Sequence, residues 1–167
     1  WQEQGLGQLN LSVNLSPRQL RDDNLKSLIS AILTRTQLPA KYLELELTES
    51  IIMEDSIGAI HTLNDLKQLG LKVSVDDFGT GYSSMMYLQT MQADEIKIDL
   101  AFIRNIHIDK TKQNIVAAII ELAHSTNAHT VAEGVECQEE ADYLATLNCH
   151  IAQGYYWSPA IPMKDFE

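Results

Sequence analysis

Two adjacent carboxylates, Asp76 and Asp77, follow a largely apolar, β-branched run at residues 71–75. The next segment carries Gly79 and Gly81, and glycine lets a chain bend sharply over the end of a strand. Side-by-side carboxylates repel each other unless a cation or a shared proton neutralises them. The pair predicts a divalent-metal site. Taken alone, it fits equally well an arrangement in which Asp77 caps the next helix and Asp76 is solvated.

Short apolar runs bounded by turn residues alternate along the chain with segments whose apolar residues recur at helical spacing. The runs predict strands at 9–14, 42–47, 71–76, 95–98, 130–133 and 150–153. The clearest predicted helices are 24–35, 56–69, 109–125 and 138–147. Ser16-Pro17 is a helix start signal, and Gly70 is a stop signal. This alternation indicates parallel strands joined by crossover helices, so the fold class is α/β, as an open sheet or a barrel.

Each predicted strand ends in a polar or charged residue. In a parallel sheet these ends lie on one face, where α/β folds and barrels carry their chemistry. Helix capping explains some of them, but glutamate, lysine and glutamine are poor caps. The set therefore predicts a functional site, and its members are Asn14, Glu46 with Glu49, Asp76 with Asp77, Lys97 with Asp99, Glu133 with Glu136, and Gln153.

The donor types in this set restrict the chemistry. Carboxylate and amide oxygens, without cysteine or histidine at ligand spacing, favour Mg²⁺ or Mn²⁺ over Zn²⁺. Several carboxylates around an open position suit a two-metal hydrolase that cleaves a phosphodiester. Lys97 could then orient the attacking water or stabilise charge on the phosphate. The alternative for Lys97 is a structural ion pair with Asp99 or Asp76, and the two roles are compatible.

Composition narrows the class of protein. The 167 residues carry a formal net charge of −11, which argues against binding to a DNA or RNA polymer. No apolar run is long enough to cross a membrane and no signal peptide is visible, so we expect no membrane contact by this segment and a cytoplasmic location. Cys137 and Cys149 are expected to be reduced, buried thiols. The five histidines show no paired helical spacing, so ligation by them is not expected.

Six separate motifs, in order and at matching spacing, resemble the EAL-domain family of bacterial phosphodiesterases, which hydrolyse cyclic di-GMP to its linear dinucleotide. The resemblance spans nearly the whole chain. The motifs are Asn14-Leu15-Ser16, Glu46-Leu47-Thr48-Glu49-Ser50, Asp76-Asp77-Phe78-Gly79-Thr80-Gly81-Tyr82-Ser83-Ser84, Lys97-Ile98-Asp99, Val131-Ala132-Glu133-Gly134-Val135-Glu136 and Gln153-Gly154-Tyr155.

The resemblance implies a (β/α)8 TIM-barrel-like fold and a role for each motif residue. Lys97 would hold the attacking water, and Glu49 would fix the loop at residues 77–84. Gln153, Ser16 and Arg18 would contact the substrate or its water network. The implied ligands of two Mg²⁺ or Mn²⁺ ions are Asn14, Glu46, Asp76, Asp77 and Glu133, of which Glu133 also counts among the catalytic residues with Lys97 and Glu49.

The sequence departs from the family pattern at one place. No Glu-Ala-Leu motif occurs in it, and six predicted strands compare with eight in a closed barrel. We therefore expect residues 1–167 to form the C-terminal two-thirds of a single EAL-type domain, truncated to about six β/α units and impaired when alone. A non-catalytic cyclic di-GMP receptor is the alternative function, and an unrelated metal-dependent barrel is a third.

Family resemblance also implies partners beyond the nucleotide. We expect a homodimer, with the helix after Ser84 as the candidate interface. Sensory or diguanylate-cyclase domains are expected upstream, where the parent protein could also be anchored in a membrane.

Overall fold

The computed structural model of the chain describes residues 9–54, 56–81, 90–162 and 165. Two units are distinguished by their internal contacts, Trp1–Glu95 and Ile96–Glu167. Both alternate strands with helices.

Three strands and their helices build the first unit. Its strands are β1 (Leu11–Asn14), β2 (Leu43–Thr48) and β3 (Lys72–Phe78), and its helices are α1 (Pro17–Leu20), α2 (Leu25–Thr36), α3 (Glu49–Glu54) and α4 (Ser56–Lys67), with a 3-10 turn at Ala40–Tyr42. Strand β2 lies between β1 and β3 and is parallel to both.

The alternation of side chains along β2 separates two chemically different faces. Leu45 and Leu47 stand beside Val73 and Val75 of β3, and these four side chains are buried. Together with Leu63 and Leu66, which are fully buried, they form the apolar core of this unit. The opposite face of the same strands carries polar side chains, so the alternation in sequence directs carboxylates away from the apolar core.

The second unit contains strands β4 (Glu95–Ile98, of which Glu95 still belongs to the first unit), β5 (His129–Ala132) and β6 (Ile151–Ala152). Its helices are α5 (Leu100–Ile103), α6 (Lys110–Ser125) and α7 (Gln138–Thr146). The strands adjoin in chain order, and β5 and β6 are parallel. Helix α6 packs against α5 and β5. The fully buried core residues of this unit include Ile96, Ile98, Ile103, Ile106, Val116, Ile120 and Leu144.

Prediction and structure agree on the long elements. All six predicted strands and all four predicted helices occur within a few residues of their expected bounds. Four strand ends differ from the prediction: β2 and β3 continue to Thr48 and Phe78, whereas β5 stops at Ala132 and β6 at Ala152, so Glu133 and Gln153 lie in the loops just beyond them. Both residues remain fixed by backbone hydrogen bonds, from Glu133 N to Ile98 O at 3.1 Å and from Gln153 N to Ala132 O at 2.9 Å.

Three short helices have local causes. At α1, Ser16 and Gln19 form a reciprocal capping box with Pro17 in the first turn. At α5, the Asp99 carboxylate accepts from the N–H of Ala101 at 2.7 Å. Helix α3 begins at Glu49, directly after β2. Four to six residues carry too little periodicity to be recognised as helical.

Within the described part of the chain, none of the helices is long and apolar enough to cross a bilayer.

Replacing Leu47 by alanine should lower the free energy of unfolding by about 2–5 kcal/mol, because it leaves a cavity beneath fully buried neighbours. Denaturant titration of the chain measures this. Leu28→Ala is the matched control, since the Leu28 side chain is 55% exposed and its loss should change stability by less than about 0.5 kcal/mol. Equal effects of the two substitutions would contradict the assignment of the core.

Candidate functional site

Strand register brings three predicted site residues to the same end of the parallel strands in the first unit. Asn14 of β1 stands opposite Glu46 of β2, and Thr48 stands opposite Asp76 of β3. The N–H of Leu15 donates to the Glu46 carbonyl oxygen at 2.8 Å, which extends the pairing just beyond β1. Because side chains alternate, Asn14, Glu46 and Asp76 share the polar face of this sheet. Their amide and carboxylate oxygens are donors that hard divalent cations prefer.

The paired aspartates lie inside β3, where the backbone changes direction. Asp77 has φ of 54°, in the left-handed region that aspartate tolerates better than most residues. Its N–H donates to Asp76 Oδ1 at 3.1 Å, and its carbonyl oxygen accepts from Thr80 Oγ1 at 2.8 Å. The alternative in which Asp77 caps a helix is wrong for the described residues, since Asp77 is a strand residue and a turn follows it.

Glu49 holds the beginning of the loop that follows β3. Its side chain is buried, and Oε2 accepts hydrogen bonds from the N–H of Gly79 at 3.0 Å and of Gly81 at 3.2 Å. A Cβ atom at position 81 would lie 3.2 Å from the Glu49 carboxylate carbon, so glycine permits this close approach. Residues 82–84 of the loop, and the start of the helix predicted after Ser84, lie outside the described residues.

In the second unit, the buried Lys97 and the partly exposed Glu133 form an ion pair, with 2.7 Å between Nζ and Oε1. Gln153 Nε2 donates to the same Glu133 oxygen at 2.8 Å. Lys97 belongs to β4, and Glu133 and Gln153 directly follow β5 and β6. The structure thus assembles an ammonium, a carboxylate and an amide that are far apart in sequence.

Asp99 is not the ion-pair partner that was considered for Lys97, because its carboxylate caps α5. Glu136 is also engaged elsewhere, since its carboxylate pairs with the exposed guanidinium of Arg104 at 2.5 Å.

A cavity of about 540 Å³ opens beside this group, within the range of small-ligand sites. Gly134 forms part of its wall with φ of 71°, and a Cβ atom there would lie 2.5 Å from Leu100 Cβ, so the position requires glycine. Tyr155, whose side chain is 75% exposed, is also part of the wall. The other lining residues are Leu100, Arg104, Glu133, Glu136, Gln153, Gly154, Ser158, Pro159 and Ala160.

The two predicted substrate contacts of the first unit differ in their surroundings. Ser16 Oγ donates to Gln19 Oε1 at 2.6 Å and accepts from Gln19 N at 3.4 Å, so its hydroxyl serves the start of α1. Arg18 is exposed on the same short helix.

Sequence reasoning overlooked Glu44, a buried carboxylate on the polar face of β2. Ser12 Oγ donates to Glu44 Oε2 at 3.1 Å. Burial raises the pKa of Glu44 above its ordinary value of 4.5, while the bond from Ser12 and the charge of Lys72 act in the opposite direction. The alternation of glutamate with leucine at residues 43–47 was the available signal.

Comparison with known proteins gives consistent matches. A family model described as "EAL domain" matches residues 1–160. The cyclic di-GMP phosphodiesterase PdeR of Escherichia coli is 35% identical over all of this chain, and the bifunctional diguanylate cyclase/cyclic di-GMP phosphodiesterase MucR of Pseudomonas aeruginosa is 38% identical over 98% of it. The chain spans 25% and 24% of their respective lengths.

Solved structures agree with these matches. The PaMucR phosphodiesterase, in complex with c-di-GMP, is 37% identical and superimposes with a TM-score of 0.93, covering 99% of this chain and 67% of that one. BlrP1 of Klebsiella pneumoniae, with manganese and cyclic di-GMP, is 31% identical with a TM-score of 0.85, covering 93% of this chain and 40% of that one. The likeness confirms the predicted fold class.

Glu49→Gln should loosen the start of the loop after β3, because the Gly79 and Gly81 amides lose an ionised acceptor. A hydrogen bond to a charged group contributes about 1.5–3 kcal/mol, so we expect exchange of these two amides with deuterium to accelerate by at least about 10-fold. Glu121→Gln, on the exposed side of α6, is the control and should leave their exchange unchanged. Unaltered exchange in Glu49→Gln would contradict the loop-fixing role.

Glu44→Gln should stabilise the chain at neutral pH. The folded pKa of Glu44 is raised, so the unfolded chain releases this proton at lower pH and the folded state becomes less stable as pH rises above 4.5. Glutamine does not ionise, so the variant does not lose stability in this way as the pH rises. We expect denaturation curves to show the variant as more stable at neutral pH, with the difference disappearing below pH 4.5. A difference independent of pH would show that packing, not ionisation, is responsible.

Proposed function

The chain belongs to the EAL domain family, and from this membership we propose that it acts in the metal-dependent hydrolysis of cyclic di-GMP to linear pGpG. The observation that carries the proposal is the group formed by Lys97, Glu133 and Gln153 at the strand ends of the second unit. Oxygen donors at the strand ends of the first unit give independent support. This activity would serve bacterial second-messenger signalling.

The donor set of the first unit fits a hard divalent cation. We propose Asn14, Glu46, Asp76 and Asp77 as ligands of two ions, Mg²⁺ or Mn²⁺, with Glu133 as a further ligand. Amide and carboxylate oxygens are preferred by both ions, and the BlrP1 relative was solved with manganese. When bound, such a pair neutralises phosphate charge and lowers the pKa of water.

Lys97 has the position and charge to act on the reaction itself. Its ammonium is fixed by Glu133 and can donate to an attacking water or to a phosphate oxygen on which negative charge grows. Gln153, held against the same carboxylate, would orient Glu133 and contact the nucleotide or its waters. These residues would act by position and electrostatics, without a covalent intermediate on the protein.

The cavity of the second unit suits a nucleotide. Its wall joins the polar group of Glu133 and Gln153 to the exposed ring of Tyr155, on which a base can stack. We propose Ser16 and Arg18 as further contacts, of which Arg18 is the better candidate because the Ser16 hydroxyl already caps α1. A protein of net charge −11 can accept this dianionic ligand if bound cations reverse the local potential.

The second candidate function is a receptor that binds cyclic di-GMP without hydrolysing it. It would use the same cavity, lined by Glu133, Gln153 and Tyr155, for binding without turnover. Membership of the EAL family makes an unrelated metal-dependent barrel untenable.

Several finer proposals accompany the activity. We propose a homodimer, a cytoplasmic location and further domains on the same polypeptide, such as the diguanylate cyclase named for MucR. The family resemblance supports the homodimer and the further domains, and the sequence composition supports the location.

The decisive assay measures hydrolysis and binding of cyclic di-GMP with Mg²⁺ or Mn²⁺, using this chain and a form extended N-terminally by a Glu-Ala-Leu strand. Formation of linear pGpG by either form would support the proposed enzymatic function. Binding of cyclic di-GMP without product in both forms would favour the receptor function instead. Absence of binding in both forms would overturn the proposal.

In the form that hydrolyses, Lys97→Met should lower kcat by about 100-fold or more, because a donor to the developing charge is lost. Lys41→Met, at an exposed lysine, is the control and should retain full kcat. Undiminished turnover in Lys97→Met would remove Lys97 from the mechanism.

A further inference from the structure

The second unit contains a group of three potential metal ligands that the proposed function does not use. A ring nitrogen of His107, the sulfur of Cys137 and a carboxylate oxygen of Glu140 all lie within 4.8 Å of one another. We propose that these residues form a site for a divalent transition metal of the Zn²⁺ class, separate from the Mg²⁺ or Mn²⁺ chemistry proposed above.

The donor types determine the class of ion. Thiolate and imidazole ligands select Zn²⁺ and similar ions, whereas Mg²⁺ and Ca²⁺ require oxygen donors. Movements of about 1 Å would bring the three atoms to the spacing set by metal–ligand bonds of about 2.0–2.3 Å. Three protein ligands leave a fourth tetrahedral position for water or another small ligand.

Glu140 is held ready for such a role. Its side chain is 2% exposed, and Oε1 accepts from Asn105 N at 2.7 Å while Oε2 accepts from Glu136 N at 2.8 Å. Burial by itself would raise the pKa of Glu140, but the backbone hydrogen bonds outweigh it and lower the pKa below its ordinary value. The two hydrogen bonds orient the carboxylate, and each oxygen retains a second lone pair for a ligand bond.

His107 has an unsatisfied nitrogen. Its Nδ1 is buried and has no hydrogen-bond partner among the described residues. Leaving a buried polar atom unpaired is unfavourable, and coordination of an ion through Nδ1 would remove this cost. The backbone at this point is fixed by the buried Gln113, whose Nε2 donates to the carbonyl oxygens of Ile106 at 2.8 Å and of His107 at 3.2 Å.

Cys137 completes the group at the N-cap position of α7. The loop before it begins at Glu133, and the loop that contains His107 follows α5. An ion held by all three side chains would therefore join these two loops to the first turn of α7.

Cobalt(II) is a suitable probe, because a cobalt–thiolate bond produces a charge-transfer absorption band in the near ultraviolet. We expect titration of the full chain with Co²⁺ to give this band with one ion per chain, and Zn²⁺ but not Mg²⁺ to abolish it. Coordination should also release the thiol proton, which calorimetry in buffers of different ionisation enthalpy detects.

Substitutions identify the ligands. Cys137→Ser should abolish the band while keeping a good helix cap, and Cys149→Ser is the matched control that should retain it. His107→Gln and Glu140→Gln should each weaken Co²⁺ binding by at least about 10-fold, the lower end of what even indirect support of a metal site contributes. Thermal unfolding of each variant without metal verifies that it is folded.

Three results would overturn the proposal. They are absence of the band at stoichiometric Co²⁺, loss of the band in Cys149→Ser, and Co²⁺ affinity unchanged by His107→Gln and Glu140→Gln in folded variants.

Discussion

A strand of a parallel sheet is usually apolar on both sides, but β2 alternates leucine with glutamate. This alternation determines which surface of the first unit is apolar and which is polar. Its register with β1 and β3 turns this alternation into two surfaces, one of leucine and valine and one of carboxylates and amides. A slip of one residue would exchange the two surfaces and bury Glu46 in the core. Core packing and donor placement therefore depend on the same pairing.

The presence of the Lys97–Glu133 ion pair at this place in the fold is better explained by a chemical role than by a contribution to stability. Lys97 is buried and Glu133 is partly buried. Removing charges from water costs several kcal/mol for each fully buried ion, and apolar replacements of buried pairs are often neutral or stabilising, by about 1–4 kcal/mol. Retaining this pair therefore gives the fold little that leucine would not. What it does give is a fixed ammonium next to a carboxylate at the ends of adjoining strands, where a polar substrate can be bound.

The sequence was sufficient for elements with a repeating pattern. Apolar runs bounded by turn residues located the strands, and the three- and four-residue spacing of apolar side chains located the long helices. It was insufficient where a partner is distant: Asp99 is two residues from Lys97 yet caps α5, whereas Glu133 is the partner in space. The group of His107, Cys137 and Glu140 was also missed. The histidines were set aside for lack of paired helical spacing, Cys137 was expected to be a buried thiol, and the loops that bring the three residues together have no repeating pattern.

Strand order has a consequence for synthesis of the chain. In each unit every strand adjoins the strand that precedes it in sequence, with only a helical crossover between them. Strand β2 can therefore pair with β1 as soon as it leaves the ribosome, without waiting for distant segments. Such stepwise growth keeps loop-closure entropy small and limits the time during which an apolar strand edge is available to another nascent chain.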